Sequence, residues 1–410
     1  MHKYLILLLF TPTLCAQNTV KDSIAPPPTV VPTSFYTMHT SVSINSNAID
    51  SRFLKHIIMG GNITPTDKDN IRNRINKNLQ IGVEMAVQAG YSWRGKTFDD
   101  SIHSWHTAGY EYTNIAGVIT NKNVWNLAMY GNTPYLNQPL SLHPSSIKQY
   151  AYQSIYYGYT KENKIKNIRY QVIGKLIAGL QHKNIQINSP TSLFTSLDGD
   201  YIDASLDWKN QTTASKNIVS PKGIGAGADV HIRYKNTAIE VKDIGVIHWQ
   251  KANNNYTQVG DYRWSGFYIP NILNIDTNLV SSIKDTVNKH FSTTTSKNSY
   301  TTSLPSLFSI HQYIPIKAHL QVNIGVSYRL LVNQTPVVSA VFSWAKKPSC
   351  IVYFGVRYGG YTNAINTTLG IAKNWNKASI KLLSIYNEGW YLSKRKAGVG
   401  FSLTFNYNLL

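Results

Sequence analysis

Two groups of side chains in this sequence have the chemistry of metal ligands. His103 and His106 lie three residues apart, and Asp203 and Asp207 follow an aspartate-glycine-aspartate turn at 198–200. A three-residue spacing suits a helix, but the residues around the histidines alternate as in a strand, which would point the two rings to opposite faces. The aspartates lack the glutamate that completes a calcium loop, and they alternate with apolar residues. We therefore predict loop or lumen side chains at both places and no metal site.

A glycine-rich segment could bring another element close to the backbone. Gly223, Gly225 and Gly227 alternate with apolar residues, so one face of the predicted strand is bare. No helical pattern follows, which argues against a phosphate-binding loop. In the return strand, the sequence Asp-Ile-Gly at 243–245 indicates a β-bulge at Gly245 rather than a ligand contact.

The elements that must carry these residues are long alternating strands. Between 399 and 409 every second residue is large and apolar, and similar series occupy 79–93 and 168–180. Because neighbouring side chains of a strand point to opposite faces, each series has one apolar and one polar face. Such lengths exceed the usual globular strand and suit a tilted strand that crosses a bilayer. Further candidates lie at 104–116, 122–130, 146–160, 201–208, 223–235, 237–248, 306–315, 317–330, 336–345, 349–359, 364–373 and 377–386.

The predicted fold is an all-β, closed antiparallel transmembrane β-barrel of roughly 14 strands, with 12–16 allowed. Only 15% of the residues are charged, and Tyr is abundant, with 27 residues. Tyrosine favours the membrane interface, where its ring is buried and its hydroxyl stays wet. We expect the strand at 399–409 to pair with the first strand, with its apolar face toward lipid.

The N-terminal segment is typical of a secretory signal peptide. A short basic start precedes an apolar stretch, and we predict cleavage after Ala16. Lipidation at Cys15 is the alternative, but Leu14 is bulky for that processing. The predicted domains are therefore a signal peptide at 1–16, a proline-rich tether at 17–35 and an outer-membrane barrel at 36–410.

One segment departs from the strand pattern. Leu279, Ile283, Val287 and Phe291 recur every four residues, which predicts an amphipathic helix near 276–291. We expect it to pack against the barrel rim or partly fill the lumen. A partner-binding or membrane-surface helix is the alternative.

The net charge of +20 is spread in small groups along the chain. Scattered lysines at turns do not form a nucleic-acid stripe, so no nucleic-acid partner is predicted. Lys394, Arg395 and Lys396, just before the last strand, are candidates for contact with lipopolysaccharide phosphates. A solvated turn is an equal alternative for these three residues.

Three segments resemble the central motifs of a family. They are Gly-Ile-Gly-Ala-Gly-Ala-Asp-Val at 223–230, Ile-Glu-Val-Lys-Asp-Ile-Gly-Val-Ile-His-Trp at 239–249, and Tyr-Arg-Trp-Ser-Gly at 262–266. The pattern resembles a Bacteroidota outer-membrane family known only as a domain of unknown function. That resemblance implies a barrel related to fatty-acid transporters and to the shuttle barrel of type IX secretion. Ile244 and Val246 replace the commoner Leu and Phe without upsetting the apolar pattern.

Two functions follow as expectations for this outer-membrane protein. The first is passive, porin-like transport of a small apolar or amphipathic solute. The alternative is a non-enzymatic scaffold or binding component of an envelope secretion or surface-assembly complex, with secretion or envelope proteins as partners. No Gly-x-Ser-x-Gly elbow occurs, so we predict no enzyme, no catalytic residue and no cofactor. A hydrolase with a triad assembled from distant residues is the enzymatic alternative.

Overall fold

The computed structural model describes residues 33–95, 101–215, 220–251, 254–265, 292–332, 334–387 and 398–409. The strands are β1 Ser34–Ser46, β2 Asn78–Arg94, β3 Ile102–Asn121, β4 Leu140–Ser141, β5 Ser145–Asn163, β6 Ile168–Ile187, β7 Ser192–Thr195, β8 Ile202–Ala214, β9 Gly223–Tyr234, β10 Thr237–Trp249, β11 Asn254–Trp264, β12 Ser292–Thr295, β13 Tyr300–Ser303, β14 Leu307–Lys317, β15 Leu320–Arg329, β16 Val337–Lys347, β17 Cys350–Gly359, β18 Ala364–Asn374, β19 Ala378–Ile385 and β20 Val399–Leu409. The helices are α1 Ser51–Met59, α2 Pro65–Arg74 and α3 Lys122–Tyr130.

Antiparallel pairing joins these strands into a closed ring. The ring order is β1, β2, β3, β5, β6, β9, β10, β14, β15, β16, β17, β18, β19 and β20. The last strand pairs with the first from Ser34↔Leu409 to Ile44↔Val399, and β1 meets β2 at Asn45↔Gly82 and Ser46↔Ile81. These pairings confirm the predicted closed antiparallel barrel of 14 strands and the predicted partner of the closing strand.

The two ends of the barrel differ in the length of their connections. At one end, called the short-turn end, tight turns link neighbouring strands at 164–167, 235–236, 318–319 and 348–349. At the other, called the long-loop end, the connections span 47–77, 122–144 and 188–222. Ser34 lies at the short-turn end, because β1 runs from it to the 47–77 connection at the long-loop end. Leu409 lies at the same end, because it pairs with Ser34.

The two faces of the wall have opposite polarity. In β20, Phe401 is 43% exposed, whereas Ser402 and Thr404 are buried. In β6, Val172 and Leu176 are exposed, and Gln171 is buried. Because side chains alternate along each strand, the apolar residues face outward and the polar ones face the lumen. The closing strand therefore has its apolar face outward and its serine and threonine face inward, as predicted, while contact of the outer face with lipid stays a prediction.

Three helices cap the long-loop end beside β2. Phe53 of α1, Ile71 of α2 and Trp125 of α3 form one buried cluster with Leu79 of β2. Thr64 caps the N-terminus of α2. Its hydroxyl donates a hydrogen bond to the Asp67 carboxylate, which lowers the pKa of Asp67. Among the described residues, no helix is both long and apolar enough to cross a bilayer.

Two of the strand predictions require correction and one strand of the ring was missed, while the number of ring strands agrees with the predicted 14. The segment 122–130 is helix α3, because the Asn121 side chain caps its first turn and Gly131 ends it. Strand β8, predicted at 201–208, lies outside the ring, in a ribbon with β7 and β11 at the long-loop end. Strand β1 was not predicted as a strand, and it takes a place in the ring. The predicted helix at 276–291 and residues 1–32 lie outside the described residues.

The bulge predicted at Gly245 lies two residues earlier. Lys242 and Asp243 together oppose Asp229 of β9, and Asp243 has a φ of 57°. Gly245 instead faces Gly227, where an added Cβ would lie 2.6 Å from the Gly227 Cα. The glycine face does allow close approach: the Ile247 and Trp249 side chains lie against Gly223, and the Val246 carbonyl oxygen of β10 lies against Gly225.

This crowding gives a first prediction. Gly245→Ala would place a Cβ 2.2 Å from the Ala226 carbonyl oxygen, so we expect a loss of about 1–3 kcal/mol in the free energy of unfolding. Gly174→Ala is the control, since its nearest atom is the Tyr157 carbonyl oxygen at 4.0 Å. Urea unfolding of the two variants in detergent micelles measures the difference. Equal stability of both variants would contradict the tight β9–β10 contact.

Candidate functional site

A buried lysine lies at the centre of the barrel interior. The Lys175 ammonium on β6 contacts Glu111 Oε2 at 2.9 Å, Asp229 Oδ2 at 2.9 Å and Asp243 Oδ1 at 3.1 Å. The side chain is only 2% exposed. An ammonium group has three donors. It donates a hydrogen bond to Asp243 Oδ1, and the Glu111 and Asp229 carboxylates lie within ion-pair distance.

The β10 bulge places Asp243 in this cluster. A bulge sets two residues opposite one and redirects a side chain. Here the Asp243 N–H donates to Asp229 Oδ1 at 2.8 Å, which fixes the two carboxylates side by side. Ser306, just before β14, also donates to the Asp243 carbonyl oxygen at 2.9 Å, so the connection to the next ring strand holds the bulge from the other side.

Arg329 extends the cluster across the barrel. Its Nη1 contacts Asp243 Oδ2 at 3.1 Å and the Pro305 carbonyl oxygen at 2.9 Å, and its Nη2 contacts Glu84 Oε1 at 2.9 Å. Strand β15, which carries Arg329, is seven places from β2, which carries Glu84, in the ring of 14. Round barrels of 16–18 strands enclose an aqueous channel. A direct contact between opposite walls therefore means that this barrel is flattened at the cluster.

The charges of this network do not balance. Four carboxylates (Glu84, Glu111, Asp229 and Asp243) face two cations (Lys175 and Arg329), which gives a formal charge of 2 − 4 = −2. Glu84 is the accessible member, since its side chain is 41% exposed while that of Arg329 is 7% exposed. The network thus has a buried centre and one edge that reaches solvent.

An aromatic and aliphatic layer lies inside the barrel on the side of the long-loop end. Trp249 stacks on His182 at a centroid distance of 5.5 Å, and His182 Nδ1 lies 2.9 Å from the Tyr300 hydroxyl. Gly179 makes room for Trp249, because an added Cβ would lie 2.7 Å from its ring. The buried members are Ile115, Tyr150, Tyr152, Ile177, Ile247, Trp249, Leu304, Leu331 and Tyr361.

The inner face toward the short-turn end is polar. Glu240 accepts from Lys242 at 2.7 Å and lies 3.1 Å from His231 Nδ1. Ser309 donates to the same carboxylate at 3.1 Å. The described interior therefore consists of a polar compartment, a charged constriction and an apolar layer in succession.

The residues considered as metal ligands lie apart from this site. His103 faces inward beside Arg94, at 3.0 Å, whereas His106 faces outward and stacks on Trp93 at a centroid distance of 5.6 Å. The two rings thus lie on opposite faces, as predicted. Asp203 pairs with Arg263 through contacts of 2.6 and 2.7 Å in the ribbon beyond the ring, so a lumen position for it was wrong. Within the described part of the chain, no group of three or more His, Cys, Asp or Glu side chains could hold a metal ion.

Two sets of predicted site residues lie outside the described residues. They are Lys394, Arg395 and Lys396, and the helix residues Leu279, Ile283, Val287 and Phe291. The charged constriction was missed, although a signal existed. Lys175 lies on the inner face of β6 between two isoleucines, Ile173 and Ile177, where a charge is expensive without partners.

The constriction gives a second prediction. Lys175→Met would leave three carboxylates without their shared cation, so we expect a loss of about 3–5 kcal/mol in the free energy of unfolding. Lys346→Met is the control, because Lys346 is exposed at the short-turn end. Urea unfolding in detergent micelles compares the two, and a loss below about 1 kcal/mol for Lys175→Met would contradict a network of this strength.

Comparison with known proteins places the chain in a family. Solved structures with a related shape include a mutant of the TodX monoaromatic hydrocarbon channel, at 9% identity and a TM-score of 0.42, covering 97% of this chain and 95% of that one. The Pseudomonas putida toluene transporter TodX matches at 8% identity and a TM-score of 0.41, covering 97% and 96%. The Ralstonia pickettii toluene transporter TbuX matches at 8% identity and a TM-score of 0.31, covering 93% and 90%. No curated protein matches the sequence. The pattern of the family described as "Family of unknown function (DUF5723)" matches residues 31–384, so the chain belongs to that family.

Proposed function

We propose that this protein is an integral outer-membrane barrel. The supporting observation is the outward face, where large apolar side chains are exposed on strand after strand. Leu176 is 66% exposed, Phe354 49% and Trp344 50%. Water makes such a surface unfavourable, whereas a bilayer favours it, and a closed barrel leaves no unpaired strand edge in the lipid.

An aromatic cluster on the outer face supports the same proposal. Tyr36, Tyr91, Trp93 and Tyr157 lie together near the short-turn end, with ring centroids 4.9–6.3 Å apart along the series. Girdles of aromatic residues mark the interfaces of membrane barrels. In bacterial barrels, short turns face the periplasm, so we assign the long-loop end to the cell exterior.

Membrane insertion gives a third prediction. Phe354 lies at the centre of β17, and Phe354→Arg should lower the free energy of unfolding from lipid vesicles by about 2–4 kcal/mol. Tyr358→Arg, near the end of the same strand, should cost only about 0–1 kcal/mol. Equal effects at the two depths would argue against a bilayer around this strand.

Within this barrel we propose gated passage of a small apolar or amphipathic solute. The observation that carries it is the contact between Arg329 and Glu84, which joins opposite walls of the lumen through one side-chain pair. A buried ionic network is no more stable than apolar packing of the same volume. Ionisable groups inside a membrane protein therefore indicate a solute path, and the adjoining aromatic layer offers the apolar contacts.

Passage gives a fourth prediction. Glu84→Gln removes the Arg329–Glu84 pair, and we expect this to shift the equilibrium between closed and open states by about 1.4 kcal/mol. Solute flux should then rise about tenfold over that of the native protein. Arg329→Gln should act in the same direction, and Arg263→Gln in the exposed ribbon serves as the control. Liposome swelling and single-channel recording measure the flux. Zero flux for every solute in all of these proteins would overturn the passage proposal.

A scaffold is the second candidate, favoured by the burial of so many inner side chains. A non-enzymatic binding component of a secretion or surface-assembly complex needs no open path. Co-purification of envelope partners together with an absence of flux would favour this function. A Bacteroidota source and a relation to type IX secretion stay predictions from the family resemblance.

A further inference from the structure

A cleft on the outside of the barrel at the long-loop end is lined with lysines. Its volume is about 650 Å³. The lining residues, here called the basic cleft, are Lys222, His248, Gln250, Lys251, Lys297, Asn298 and Ser299. None of these described lining residues is an aspartate or a glutamate. Three cations thus face one space, and the described part of its lining holds no carboxylate.

The backbone holds the cleft in place. Lys222 donates its N–H to the Gly179 carbonyl oxygen and accepts from the Gln250 N–H, both at 2.8 Å. His248 Nδ1 lies 3.0 Å from the Thr301 hydroxyl on the neighbouring strand. The three lysines come from separate segments, before β9, after β10 and between β12 and β13, so the fold brings them together.

An apolar strip runs down the outer wall directly below the basic cleft. His248 pairs with Ile224, and the next outward pairs are Val246 with Ala226 and Ile244 with Ala228. Ile224 is 68% exposed, Val246 49% and Ile244 45%. Charge at the rim and apolar surface below it share one face of the β9–β10 hairpin.

We propose that the basic cleft binds the phosphate headgroup of a lipid in the outer leaflet, whose acyl chains lie along this strip. Lysines bind phosphate as point charges, and basic side chains at a membrane surface attract anionic lipids. A soluble phosphate would use the lysines but not the exposed isoleucines and valine. The two features together select an amphiphile. This inference rests on the proposed membrane insertion, with the long-loop end outside.

The test measures lipid retention by native mass spectrometry on the full chain in detergent micelles. The ligands are diphosphorylated lipid A, the same lipid without its phosphates, and inorganic phosphate as a competitor. We expect the diphosphorylated lipid to be retained at least tenfold more than the dephosphorylated one. In the triple variant Lys222→Gln/Lys251→Gln/Lys297→Gln, each of the three changes should weaken lipid retention about fivefold.

The control variant changes three exposed lysines at the short-turn end: Lys346→Gln/Lys347→Gln/Lys377→Gln. It should retain the lipid as the native protein does. Equal loss in both triple variants, equal retention of the dephosphorylated lipid, or full displacement by millimolar inorganic phosphate would each overturn the lipid site. A heat-dependent shift in gel mobility, read on every variant, reports the intact barrel, so a failure of the barrel itself is seen separately.

Discussion

The contacts of Lys175 and Arg329 bring together three parts of the ring that backbone pairing alone would keep apart: the pair β2 and β3, the run β6, β9 and β10, and the single strand β15. Glu84, Glu111, Lys175, Asp229, Asp243 and Arg329 lie on β2, β3, β6, β9, β10 and β15. Backbone pairing closes the ring but leaves its cross-section undetermined, because a closed sheet of 14 strands can be round or flat. The salt bridges of this network join the two walls across the lumen.

Several local irregularities exist because of that flattening. Asp243 reaches Lys175 and Arg329 only because the bulge turns it inward, at a φ of 57° that few residues other than glycine adopt. Tyr361 can cross toward β2 and β3 only because Gly82 and Gly117 have no side chains, since an added Cβ would lie 2.2 Å from the tyrosine at either position. Strand irregularity and small residues thus cluster where the two walls meet.

The outward face could be predicted from the sequence, and the interior could not. An outer face that is apolar along the whole strand produces a strict period of two in the sequence, which is visible at 79–93, 168–180 and 399–409. Strand β1 escaped notice because threonine and serine occupy several of its positions, and 122–130 was misassigned because apolar residues in a short segment fit either a strand or a helix. Which inner charges meet depends on ring order and flattening: Glu84 and Arg329 are 245 residues apart.

The inner and outer surfaces of the barrel wall carry opposite local charges, so the two proposed ligands should bind at different surfaces. The constriction has a formal charge of −2, although the whole chain carries +20, so the cationic excess lies elsewhere, in part at the basic cleft and the turn at 346–347. An anionic headgroup is attracted to the rim and repelled by the constriction. A solute that passes the lumen should therefore be neutral or carry a cationic group. The anionic lipid of the outer wall and the solute of the lumen then belong to different chemical classes, and neither competes for the other's site.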